Sequence, residues 1–150
     1  MQSYDISNKK EFMSKLLKSP LFDDFEVGEV ILHTAFKMIL EGKRNTAYFE
    51  QPIEIPDSLY LCWREMRKYI YELIQGHRQP TYFKIILSTP LEKTLSLSQE
   101  ADAFYLNIQF KENQLICSTG VSYKNFTLNQ EPDKIWDEEI KLFLFNNHFM

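Results

Sequence analysis

Hydrophobic and polar residues repeat with two different periods along this chain, and the changes of period mark out its elements. Between Asp57 and Gly76, Leu59, Cys62, Trp63, Met66, Tyr69, Ile70, Leu73 and Ile74 recur at helical spacing and share an arc of ~140° at ~100° per residue. Tyr60, Arg64, Arg67, Lys68, Tyr71 and Gln75 take the other side, where basic and aromatic residues interleave. Asp57 or Ser58 is placed to cap the start, and Gly76 followed by Pro80 ends the pattern. An apolar face this wide must lie on another layer. The alternating segments on both sides of it predict a sheet.

Ahead of this helix, Ser3 to Ile6 reads as a short strand. Asn8 stands three residues before Glu11, a capping-box spacing, and opens a helix to Lys18 with Phe12, Met13, Leu16 and Leu17 on one side. Lys10, Lys15 and Lys18 face out, and Pro20 closes it. From Phe25 to Glu50 the period is two: Val30, Leu32 and Thr34 alternate with Ile31 and His33, then Phe36, Met38 and Leu40 share a face. Gly42-Lys43-Arg44-Asn45 has turn composition, Thr46 to Phe49 predicts a third strand, and Ile53 to Ile55, between Pro52 and Pro56, a short extended piece.

After Pro80, Tyr82 to Leu87 is an apolar run broken only by Lys84 and suits a strand covered on one side. Thr89 to Asp102 is polar and reads as a loop with one helical turn at most. Phe104, Leu106, Ile108 and Phe110 alternate with Tyr105, Asn107 and Gln109, the cleanest strand signal in the chain. Glu112-Asn113 makes a tight hairpin. Leu115 to Ser118 returns, Thr119-Gly120 turns again, and Val121 to Leu128 completes a meander with a bulge between Tyr123 and Phe126. Pro132 then precedes a third helix, Asp133 to Phe145, with Trp136, Ile140, Phe143 and Leu144 as its stripe. Asp137, Glu138 and Glu139 suit the helix dipole better than a metal site.

Composition narrows the class. With 150 residues, 44% hydrophobic and 25% charged, the chain suits one domain over 1–150 that buries ~68–70% of its unfolded surface. A net charge of −4 argues against coating nucleic acid through overall charge but leaves room for a local basic face. Cys62 and Cys117 read as small apolar residues, with one disulfide the lesser alternative. Met1 to Lys10 has no apolar run, and no segment is apolar for the ~18 residues of a membrane span. A cytoplasmic protein with no membrane contact is expected.

The motifs of common chemistry are missing: no P-loop, no Gly-x-Gly-x-x-Gly, no Cys-x-x-Cys and no His-Glu-x-x-His. His33, His77 and His148 have no ligand spacing, and His77 is better placed to cap helix carbonyls. Asp23-Asp24 falls in a predicted loop and reads as a solvated pair. A Ser/His/Asp or Cys/His set drawn together from distant residues stays compatible with the sequence. The expectation is a protein without enzymatic activity, cofactor or metal.

The element order, strand, helix and three strands, then short strand, helix and more strands, is a β-α-β-β-β unit written twice. With Tyr105-Leu106-Asn107-Ile108-Gln109-Phe110 through Gly120 as its closing meander, it resembles one domain of the DNA sliding clamps, the ring-shaped processivity factors of polymerases. Phe12 to Leu17, Leu73 to Pro80 and Trp136-Asp137-Glu138 are similar to a small family of uncharacterised bacterial proteins with no assigned activity. The clamp resemblance implies helices that face DNA phosphates through Lys10, Lys15, Lys18, Arg64, Arg67 and Lys68. Clamps join several such domains, whereas one is present here, and Glu65 and Glu72 dilute the basic face.

The fold predicted is therefore α+β and clamp-like: two β-α-β-β-β-like units forming antiparallel sheet, helices on one side, and a C-terminal helix added. A parallel sheet needs helical crossovers that only the main helix supplies. The function expected is a non-catalytic module that binds nucleic acid weakly or binds a protein partner. The alternative is a protein-interaction or small-molecule-binding domain whose basic face is only solvated, and self-association is compatible with either. Replacing Arg64, Arg67 and Lys68 by Ala is expected to weaken duplex binding without unfolding the protein.

Overall fold

The cleanest alternation in the sequence lies at the centre of the molecule. In the computed structural model, which describes residues 1–51, 58–76 and 78–150, Phe104 to Phe110 belongs to β5 (Ala101–Lys111). β4 (Tyr82–Ser88) and β6 (Gln114–Tyr123) flank it. β2 (Glu26–His33) and β3 (Lys37–Glu41) lie beyond β4, and β1 (Ser3–Asp5) beyond β6. The six strands make one sheet in the order β1-β6-β5-β4-β2-β3, with every neighbouring pair antiparallel.

One face of this sheet is the core. Val30, Leu32, Ile85, Leu87, Phe104, Leu106, Ile108 and Cys117 are buried on it, while Ile31, Lys84, Ile86, Asn107 and Ile116 are half-exposed on the other. Among the described residues, four helices supply the covering layer: α1 (Lys9–Lys18), α2 (Trp63–Ile74), α3 (Leu91–Leu97) and α4 (Glu131–Asn146). Each fully buried Leu, Ile or Phe contributes about 1.5–3 kcal/mol, so packing rather than local propensity decides which segments stay helical. Two indoles tie these elements together, one helix to helix and the other helix to sheet. Trp63 Nε1 donates to the Leu16 carbonyl at 2.8 Å, and Trp136 Nε1 donates to the Tyr105 carbonyl at 2.8 Å.

A bulge at Gly28 resets the parity of β2, so that both Val27 and Val30 reach the core. Close by, Gly42 is the one residue that fits its place. A Cβ there would stand 1.8 Å from the Val27 carbonyl oxygen. The Gly42 N–H donates to Gly28 O at 2.9 Å, and its carbonyl accepts the Leu61 N–H at 2.8 Å. The segment just before α2 is thereby wedged between β2 and the end of β3, with bridges Glu26–Cys62 and Lys43–Tyr60. The β5–β6 hairpin turns on Glu112 and Asn113, both left-handed at φ 51° and 63°, as the predicted tight turn requires.

The structure corrects several expectations. The strands of both units join in a single sheet, and α3 interrupts the second unit between β4 and β5. Thr119-Gly120 is not a turn, and β6 runs through it, because Thr119 faces inward with its hydroxyl accepted by the Asp137 carboxylate. β6 ends at Tyr123, leaving Phe126 and Leu128 exposed instead of in a bulged strand. Thr46–Tyr48 is a 3-10 turn, not a strand. Thr89 to Asp102 contains a two-turn helix, α3, anchored where the buried Thr89 and Thr94 hydroxyls bond at 2.6 Å. α2 begins at Trp63, six residues after Asp57, since Leu61 and Cys62 are held in extended pairing. Its buried face is narrower than predicted: Trp63, Met66 and Ile70 are covered, Tyr69 and Leu73 are exposed, and Tyr71 turns partly inward. Asn8 makes no side-chain cap; its amide donates to His148 O at 3.3 Å instead. The predicted piece Ile53 to Ile55, the cap at Asp57 and the role of His77 lie outside the described residues.

Candidate functional site

The short loop after α1 packs against both α1 and α2. Pro20–Phe22 forms a 3-10 turn, which buries the Phe22 ring against Phe12, 5.4 Å between centroids, and delivers the next residue, Asp23, into the interior. Asp23 is only 5% exposed, whereas Asp24 beside it points into solvent. The reading of both as a solvated pair therefore holds for Asp24 alone. Arg67 supplies the partner: its Nε and a terminal nitrogen donate to the two Asp23 carboxylate oxygens at 2.9 Å each. Arg64 reaches Asp24 at 3.0 Å and stands 3.9 Å from Asp23.

A second ion pair lies at the start of α2. Arg44, 7% exposed, donates to both Glu65 oxygens at 3.0 and 3.2 Å and to the carbonyls of Ser58 and Tyr60. Those bonds from Arg44 hold the Glu65 carboxyl below its usual range. Glu65 also accepts the Cys62 N–H at 2.9 Å and so closes the first turn of α2. Burial pushes the Cys62 thiol up. Both cysteines are free.

Apart from Arg67, these groups line one side of a cleft of about 920 Å³, bounded also by α3 and α4. Its apolar lining is Phe25, Trp136, Ile140 and Phe143, with Phe25 and Trp136 edge to face at 6.5 Å. Its polar lining includes six carboxylates (Asp23, Asp24, Glu26, Glu65, Glu92 and Glu139) and three cations (Arg44, Arg64 and Lys93). Lys93 ties α3 to α4 through Glu139 at 2.5 Å. Among the described residues, Glu26 and Glu92 have no cationic partner; Glu26 accepts only the Ser58 hydroxyl, at 3.0 Å. No group of three His, Cys, Asp or Glu side chains is arranged to hold a metal among the described residues.

The six basic residues singled out from the sequence divide into two sets. Arg64 and Arg67 meet at the Asp23-Asp24 loop, in ion pairs. Lys10, Lys15, Lys18 and Lys68 stay exposed on α1 and α2, with Lys15 4.0 Å from Glu11, Lys18 over the Tyr71 ring and Lys68 over the Tyr69 ring. Arg67 therefore holds a buried carboxylate and does not merely project opposite the apolar arc. The acidic run on α4 has separate partners: Asp137 takes the Thr119 hydroxyl, and Glu139 takes Lys93. Arg44, Glu26, Glu92 and Lys93 were not legible as site residues, since each looks like an ordinary turn or surface charge in sequence.

Fold and cleft together define an α+β domain with one antiparallel sheet, a helical layer and a charged cleft between helices. Residues 15–150 match the model of a family of unknown function, DUF5721, and the chain belongs to that family. No curated protein and no solved structure matches it, so no structural match stands behind the sliding-clamp resemblance. Among the described residues, no helix is long and apolar enough to cross a membrane.

Proposed function

We propose that this chain is a non-catalytic binding domain whose cleft takes a small amphipathic cation. The apolar body of the ligand lies against Phe25, Trp136 and Phe143, and its amine lies near Glu26 and Glu92. The observation that carries this reading is the charge balance of the cleft: among the described residues, four of its carboxylates are occupied by arginine or lysine, and these two are not. The volume falls within the ~300–1,000 Å³ of small-molecule sites, which combine an apolar lining with a few placed polar groups. The Asp23–Arg67 ion pair also argues against the nucleic-acid reading. Phosphate contact by Arg67 would leave the buried Asp23 carboxylate without its partner, at a cost larger than one phosphate contact returns.

Thermal melts with arylalkylamines, beside arylalkanoic acids of the same body, test the proposal. At ten times its Kd an amine should stabilise by about 1.4 kcal/mol, a rise of about 3–6 °C. The acids should have no effect, and Glu26→Gln/Glu92→Gln should abolish the amine response while leaving the unliganded melt within about 2 °C. Equal stabilisation by acids, or an undiminished response in the double variant, contradicts the reading. Salt-sensitive duplex binding that is lost when Lys10, Lys15, Lys18 and Lys68 are neutralised would restore the nucleic-acid reading.

A further inference from the structure

Away from the cleft, the sheet ends at β3, whose outer edge has no partner strand among the described residues. Its register with β2 matches Leu40 to Val30 and Met38 to Leu32. Continuing that register, Thr34 N–H donates to Phe36 O at 3.0 Å and Gly42 N–H to Gly28 O at 2.9 Å. Even-numbered residues therefore direct their backbone groups at β2. By the alternation of an antiparallel ladder, the N–H and C=O of Lys37, Ile39 and Glu41 point outward from the sheet edge. β3 is the terminal strand of the sheet, and no other described segment pairs with it over Lys37–Glu41. The same three residues carry exposed side chains on the open face, with Ile39 68% exposed, while Met38 and Leu40 pack on the core.

We infer that two copies of this chain join edge to edge through β3, antiparallel about a two-fold axis at Ile39. That register sets Ile39 against Ile39 of the second copy, and Lys37 against its Glu41 on both sides of the axis. Each of these pairs uses outward-pointing backbone groups, so it exchanges both of its N–H···O bonds, and opposite charges meet on one face. Alternative registers lose this complementarity. A slip of two residues sets Lys37 against Ile39, and parallel in-register pairing sets Lys37 against Lys37. Charged side chains usually protect an edge strand from association. Here a lysine and a glutamate spaced evenly about the centre repel other edges and match a second copy. The contact is isologous, as two-fold dimers require, and continues the six-stranded sheet of one copy into that of the next.

Sedimentation equilibrium of the full chain from micromolar to millimolar concentration tests this directly. The mass should rise from 17.9 kDa toward twice that value. Lys37→Glu or Glu41→Lys alone should weaken the dimer about tenfold, and the double swap should return it to within about threefold of the original. Both side chains are exposed, and circular dichroism of each variant checks that the monomer is folded. Hydrogen exchange gives a readout that needs no variant: protection of the Ile39 amide should grow with protein concentration, while that of Met38, already bonded to β2, should not. A chain that stays at 17.9 kDa into the millimolar range overturns the inference. So does a dimer indifferent to the single reversals, or one that the double swap leaves as weak as either single variant.

Discussion

Replacing Arg67 by alanine tests whether the Asp23 pair holds the helical layer in place. The Asp23 side chain is 6% exposed, and Arg67 binds both of its oxygens at 2.9 Å. Removing one partner of a buried pair typically costs ~3–5 kcal/mol, because the remaining charge is left without compensation. Two features lower that figure here. The Arg67 side chain is 24% exposed, so water reaches the pair, and Arg64 Nε stands 3.9 Å from Asp23 and can approach. A loss of about 2–3 kcal/mol is expected, which for a chain of this length lowers Tm by about 4–12 °C. Asp23→Ala/Arg67→Ala removes the stranded carboxylate as well, so its cost should fall short of the summed single costs by about 1–2 kcal/mol. Urea denaturation of the four proteins gives both quantities. A single variant within about 0.5 kcal/mol of wild type, or additive costs, would refute the reasoning.

Three further outcomes follow from the same geometry. Gly42→Ala should cost about 3 kcal/mol or more by urea denaturation, since its Cβ would collide with the Val27 carbonyl and no side-chain movement relieves a backbone clash; near-neutral behaviour would mean that β2 and the end of β3 are held less closely. Glu65 has a lowered folded pKa, so its pairing contributes stability above the unfolded value of about 4.3 and loses it as pH falls through the folded value. The stability gap between wild type and Glu65→Gln should thus be full at neutral pH and close in acid, and a gap that widens in acid would reverse the sign. In thiol labelling, Cys117, buried with its thiol pushed up by desolvation, should react only in urea, and Cys62 slowly in the native state; fast native labelling of both would contradict the core packing.

How far the sequence carried the reading depended on the range of the interactions. β5 and its hairpin were legible because alternation from Phe104 to Phe110 and the left-handed tolerance of Asn113 are local properties. α4 was legible from Pro132 and the stripe from Trp136 to Leu144. The start of α2 is not legible, because helical spacing persists through Leu59 and Cys62 while pairing with β2 and with the end of β3 holds that segment extended. Thr119-Gly120 has turn composition, but flanking strands on both sides and the Asp137 carboxylate keep it in β6. The cleft was hidden for the same reason. Nothing near Asp23 or Arg44 in sequence reveals that each is buried, because Arg67 and Glu65 lie 44 and 21 residues away.

The binding reading is tested most directly by a two-dimensional amide and indole NMR titration of the full chain with a single arylalkylamine. Saturable shifts are expected at the Trp136 indole, Glu26, Glu92 and Lys93, with the amides of Lys10, Lys15 and Lys18 unmoved. Shifts confined to the α1 lysines, or no saturable shift around Trp136 for any amine in the series, would contradict that reading.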